Sequence, residues 1–120
     1  MHGIAYDATH DEVVVPVALA DAVLVFRGGA DGSEAPIRVI QGSNTKMIRP
    51  HTVTVDERNN EIIVGDSSGR SVLVFDRNAN GNAPPKRIIR NAPAGTPTGG
   101  FGNPYAVAYD SKRDQLLVPN

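Results

Sequence analysis

The stretch HTVTVDERNNEIIVGDSSGRSVLVFDRNANGNAPPKRIIRN, residues 51–91, lies over HGIAYDATHDEVVVPVALADAVLVFRGGADGSEAPIRVIQG, residues 2–42, without a gap. Thirteen of the 41 positions are identical, among them Asp7/Asp56, Glu12/Glu61, Val15/Val64, Gly32/Gly81, Pro36/Pro85 and Arg38/Arg87. The run Val23-Leu24-Val25-Phe26 repeats as Val72-Leu73-Val74-Phe75. A third copy, YAVAYDSKRDQLLVPN at residues 105–120, matches residues 51–66. The copies start at 2, 51 and 105, and the longer second spacing is taken up by the Gly/Pro/Thr-rich connection at 91–104. A repeat of this length is one supersecondary unit that buries its apolar face against its neighbours.

Each unit divides into four short strands. GIAYD, TVTVD and AVAYD have the period-two alternation of a half-buried strand. EVVVP, EIIVG and QLLVP are continuous aliphatic runs, the pattern of a strand covered on both faces. AVLVF or SVLVF is the third strand, and the shorter IRVIQ or KRIIR the fourth. Polar or Gly/Asn/Pro-rich turns separate them, and no ten residues show helical periodicity. Four antiparallel strands per 40 to 50 residues is the arithmetic of a propeller blade. The expected fold is therefore all-β, a β-propeller segment of two full blades (about 2–42 and 51–91) and half a blade (105–120), in one partial domain spanning 1–120. The competing arrangement, a β-sandwich, does not require identical four-stranded units. Small residues at Ala5, Thr54 and Ala108 suit an innermost strand crowded around a central channel.

Composition narrows the function classes. Glycine and proline, 12 and 9 of 120 residues, exceed the usual share and match a turn-rich chain. A net charge of −1 provides no single-sign field for nucleic acid or anionic membrane. No apolar run reaches the length of a membrane-spanning helix. The start MHGIAYD lacks the features of a signal peptide, and the absence of cysteine removes disulfides and thiolate chemistry.

The pattern Pro50-His51-x-Val53-x-Val55-Asp56, followed by Glu61-Ile62-Ile63-Val64-Gly65-Asp66-Ser67-x-Gly69-x-x-Val72-x-Val74-Phe75-Asp76, resembles the NHL repeat of bacterial propellers. The first copy departs from it, with Met1 for Pro50, Val17 for Asp66 and Ala20 for Gly69. The resemblance implies blades of a ring that usually has six. Lyases, lactonases and protein-binding modules all share that architecture. Two and a half blades are too few to close a ring, so the ring is expected to be completed by the remaining blades of a longer chain or by self-association, and the resemblance implies export of such a longer chain.

His2, His51 and Tyr105 occupy equivalent positions at the entry to the innermost strands and are the candidate ligand-binding residues at one channel mouth. Imidazoles converging from successive blades can hold zinc or iron, and a phenol can polarise a substrate oxygen. The plain alternative is a ring of polar residues solvated by channel water. Asp7, Asp56 and Asp110 recur at the end of the first strand, where a carboxylate accepts backbone N–H groups of the following turn. Arg38 and Arg87 are expected to blunt the edge of the outer strand. Asp31-Gly32-Ser33-Glu34 and Asn78 to Asn82 lack the ligand alternation of a calcium loop, Gly28-Gly29 lacks a following helix, and no G-x-S-x-G motif is present. The favoured function is a scaffold or binding module that offers loops and a channel mouth to a protein or small ligand, with no catalytic residue and no cofactor assigned. The alternative is a metal-dependent lyase or hydrolase working through His2 and His51.

Overall fold

A computed structural model describes residues 3–90 and 104–119. Among the described residues ten strands run in chain order: β1 (Ala5–Asp7), β2 (Glu12–Val17), β3 (Ala22–Arg27), β4 (Arg38–Gln41), β5 (Pro50–Asp56), β6 (Glu61–Asp66), β7 (Ser71–Asp76), β8 (Arg87–Ile89), β9 (Ala108–Asp110) and β10 (Gln115–Leu117). They form two four-stranded antiparallel meanders, β1-β2-β3-β4 and β5-β6-β7-β8, and the two-stranded pair β9-β10. The registers repeat along with the sequence: Asp7 faces Glu12, Asp56 faces Glu61, and Asp110 faces Gln115. Among the described residues the only helical turns are two of 3-10 type, at Ala18–Ala20 and Ser43–Thr45, and no helix is long and apolar enough to cross a membrane.

The turn chemistry explains why the meander recurs. The residue closing each first turn is left-handed: Asp11 at φ 53°, Asn60 at 55° and Asp114 at 53°. Aspartate and asparagine tolerate that conformation better than other non-glycine residues. The second turns close in the same way on Asp21 and Arg70, both at φ 49°.

Packing is face to face between successive sheets. Val14, Val23, Val25 and Ile40 of the first sheet form one buried cluster with Val53, Ile62, Val64, Leu73 and Phe75 of the second. On the opposite face of the second sheet, Ile63, Val72 and Val74 pack against Val107, Leu116 and Val118. The middle sheet is thus covered on both sides, and all six residues of β6 are buried. In β2, buried and half-buried residues alternate. The aliphatic run EVVVP therefore does not report a strand covered on both faces, because only one of its faces meets another described sheet. Phe26 is half-buried whereas its repeat equivalent Phe75 is fully buried, for the same reason. In β1 the inward side carries Ala5 and Asp7, while Tyr6 and, just before the strand, Ile4 are 56% and 63% exposed.

The sheets are also joined at their outer edges. The loop after β7 folds back along β4, with Gly81 N donating to Val39 O at 2.6 Å and Gln41 N to Gly81 O at 3.0 Å. Two asparagines extend this contact: Val39 N donates to Asn80 Oδ1 at 3.1 Å, and Asn44 N to Asn82 Oδ1 at 2.7 Å. Gly81 adopts φ +72°, a conformation glycine enters without steric cost.

Candidate channel-mouth site

The first strands of the three units lie side by side, β1 beside β5 and β5 beside β9. This arrangement brings His51, near the start of β5, against Tyr105. The two rings meet edge to face at a centroid distance of 4.6 Å and an interplanar angle of 72°, a favourable geometry for aromatic quadrupoles. His51 Nδ1 lies 3.2 Å from the Tyr105 carbonyl oxygen. A carbonyl only accepts, so the neutral ring carries its proton on Nδ1 and its lone pair on Nε2. Two of the three candidate residues are therefore neighbours, with a basic nitrogen and a half-exposed phenol at one end of the inner strands. His2 lies outside the described residues. Among the described residues no group of three or more His, Asp or Glu side chains is placed to hold a metal ion.

At the other end of the inner strands, the recurrent aspartates act as turn clamps. Asp7 accepts from His10 N at 3.1 Å and Asp56 from Asn59 N at 2.9 Å, three residues on. Asp110 accepts from both Lys112 N and Arg113 N. The second carboxylate oxygen takes the side chain three residues on in every copy: His10 Nδ1 at 2.8 Å, Asn59 Nδ2 at 2.6 Å and Arg113 at 2.8 Å. A parallel motif joins Tyr6 Oη to Asp11 at 2.7 Å and Tyr109 Oη to Asp114 at 2.6 Å. These bonds to a carboxylate hold both phenols in their protonated form and raise their pKa.

The arginines of the fourth strands do more than shield an edge. Arg38 forms a two-pronged pair with Glu12 at 2.9 and 2.8 Å, reaching across the intervening strand. Arg77, from the second sheet, adds a third bond to Glu12 at 2.9 Å. All three side chains are largely buried, at 14%, 9% and 16% exposure for Arg38, Glu12 and Arg77. The hydrogen bond from Arg38 and the two positive charges hold the Glu12 carboxyl below its ordinary range. In the second sheet Glu61 pairs with Lys86 at 2.8 Å and Arg87 at 3.0 Å, but both cations are about half exposed. Asp66, fully buried, accepts Ile48 N at 2.9 Å and Arg49 N at 2.7 Å, and so ties the connection between sheets to β6.

Sequence reasoning missed Glu12, Arg77 and Asp66. The Glu12/Glu61 and Arg38/Arg87 identities signalled a recurrent pair, whereas Arg77 replaces Gly28 and Asp66 replaces Val17, so neither could be found by looking for recurrence.

Four-stranded antiparallel meanders stacked face to face, with their first strands converging, define a β-propeller architecture. A solved structure described as the WD40 β-propeller domain of Doa1 is similar to this chain with a TM-score of 0.59 at 10% identity, over 97% of this chain and 33% of that one. At that identity the likeness carries the fold alone, and the chain spans about a third of the neighbour's length. No family model and no curated protein matches the sequence.

Proposed function

We propose that this chain is part of an NHL-like propeller that works as a binding scaffold, presenting the mouth formed by His2, His51 and Tyr105, with the loop at 91–104, to a protein or small ligand. The observation that supports this reading is the use made of the recurrent charged residues. Asp7, Asp56, Asp110, Glu12 and Glu61 each clamp a turn or bridge strands, so the repeat's recurrent acids serve the scaffold. The His51–Tyr105 pair combines an aromatic face with a polar tip, a combination suited to contact with a partner.

The test is native mass spectrometry of the wild-type chain and of His51→Ala, in the presence and absence of zinc, alongside partner capture by wild type, His51→Ala and Tyr105→Ala. Capture that falls in both variants while the urea midpoint holds supports the scaffold. One equivalent of zinc retained by wild type and lost from His51→Ala would replace it with the metal-dependent lyase or hydrolase reading.

A further inference from the structure

The net charge of −1 conceals a segregation of charge along the strand direction. Every Asp, Glu, Lys and Arg lies in the described residues, and the registers assign each to one end of the sheets. At the end where β5 begins, Pro50 faces Asp66 and Asp66 faces Ser71. Arg49 and Arg70 lie one residue beyond this row, and Arg90 follows Ile89, which faces Val72. Lys46, in the connection from β4 to β5, belongs to the same end. The acids there are Asp21, just before β3, and Asp66, which is fully buried and turned onto Ile48 N and Arg49 N. Eleven of the thirteen acids and eight of the twelve cations lie toward the opposite end. The two ends also differ in pairing. At the far end Arg27, Arg38, Arg77, Lys86, Arg87 and Arg113 each pair with a carboxylate. At the mouth end Lys46, Arg49, Arg70 and Arg90 are all exposed, and among the described residues none pairs with a carboxylate. Their backbone is fixed nevertheless: Ser67 N donates to Arg49 O at 3.1 Å, and Arg70 N to Ser67 O at 3.4 Å. At His51 the register between β5 and β6 slips, and a bulge of this kind re-aims a side chain. Ile48, 59% exposed, stands beside Arg49.

We infer that the partner received at this mouth is an acidic peptide segment, whose carboxylates meet Arg49, Arg70 and Arg90 and whose apolar side chain covers Ile48. The inference rests on the binding-scaffold reading and names the chemistry of its partner. Arg49, at β5, and Arg90, at β8, are three strand spacings apart, roughly 14 Å, which is the length of about four residues of extended peptide. Arginine clusters are a recurrent means of reading acidic segments. A rim whose four cations are offset by Asp21 and Asp66 falls short of the run of phosphates in a nucleic-acid strand, which favours a short acidic peptide. Successive sheets pack face to face, so a further blade would cover a sheet face and leave these strand ends open. The surface therefore does not depend on how many blades flank it.

The probe is the peptide acetyl-Glu-Glu-Leu-Glu-Glu-amide, titrated into the whole ¹⁵N-labelled chain beside its glutamine isostere and a uridine oligonucleotide of the same length. With the acidic peptide, amide shifts at residues 48–51, 67–70 and 90 are expected. Its dissociation constant should rise at least about fivefold between about 20 mM and about 300 mM NaCl, as screening sets in. Arg49→Gln combined with Arg70→Gln should weaken binding about fivefold. The urea midpoint of that variant should equal that of wild type, because the hydrogen bonds at these positions are made by backbone atoms. Equal or tighter binding of the glutamine isostere, tighter binding of the oligonucleotide, shifts confined to Arg58, Lys112 and their turns, or no binding would each overturn the inference. Its failure is separable from failure of the scaffold reading. An isostere that binds with shifts at His51 and Tyr105 removes the acidic partner and keeps the scaffold, whereas capture unchanged in His51→Ala and Tyr105→Ala refutes the scaffold by a separate readout.

Discussion

Glu12 and Glu61 are the same residue of the repeat in two environments, and replacing each by glutamine separates the contribution of burial from that of pairing. Glu12→Gln removes the charge facing Arg38 and Arg77, which are 14% and 16% exposed. Breaking a buried pair from one side costs about 3–5 kcal/mol, chiefly through the cation left behind. Glutamine retains one acceptor and the arginines retain some water, so about 2–4 kcal/mol is expected. Glu61→Gln exposes no such cost, since Lys86 and Arg87 are 46% and 50% exposed and return to solvent. About 1 kcal/mol or less is expected there. For a chain of this size total stability is about 6–18 kcal/mol. With a urea slope of about 2 kcal/mol/M, Glu12→Gln should lower the midpoint by about 1–2 M and Glu61→Gln by about 0.5 M or less. A double-mutant cycle with Arg77→Met should show coupling to Glu12 of at least about 1 kcal/mol. Equal midpoint shifts for the two glutamine variants, or zero coupling to Arg77, would falsify the claim that Glu12 binds one sheet to the next.

The Glu12 carboxyl is held below its unfolded value of 4.5 by Arg38 and then Arg77. Its stabilisation is therefore complete above about pH 4.5 and is lost as pH falls through the lower folded value; the urea midpoint of Glu12→Gln should vary less than that of wild type over that acidic window. Asp66→Ala deprives Ile48 N and Arg49 N of charge-assisted acceptors and should cost about 2–3 kcal/mol by urea unfolding, with Asp66→Asn losing less; an unchanged midpoint in the alanine variant would contradict its anchoring role. His10→Asn installs the residue that the second copy uses on the same carboxylate, and should change stability by no more than about 0.5 kcal/mol; a larger loss would mean the imidazole does something an amide cannot.

Recurrence made the four-stranded unit legible, because the turn residues and the aliphatic runs are local signals. Burial was less legible. EVVVP and EIIVG read alike, yet β2 is half-covered and β6 fully covered, since the covering surface comes from a neighbouring sheet that a strand's own sequence does not encode. The alternation of the first strand was legible, but which parity faces inward was not: Ala5 and Asp7 take the inward side, where the Asp7 carboxylate reaches the backbone of the following turn. At the candidate site, repeat equivalence was enough to bring His51 and Tyr105 together, but their edge-to-face contact and the Nδ1–carbonyl bond depend on the path of the chain between them.

The residues that differ between copies carry the joints. Gly28 and Arg77 are equivalent, as are Ile37 and Lys86, and Val17 and Asp66. Glu12 has Ile37 where Glu61 has Lys86, and it draws its second cation, Arg77, from the next sheet. Glu61 has Lys86 in its own sheet and satisfies its carboxylate there. A perfectly regular repeat would give every joint the same partners. Exchanging one cation between cis and trans makes each interface chemically distinct while the strand register stays constant. Charge placement therefore distinguishes the two copies at positions where a comparison of their sequences sees only mismatch.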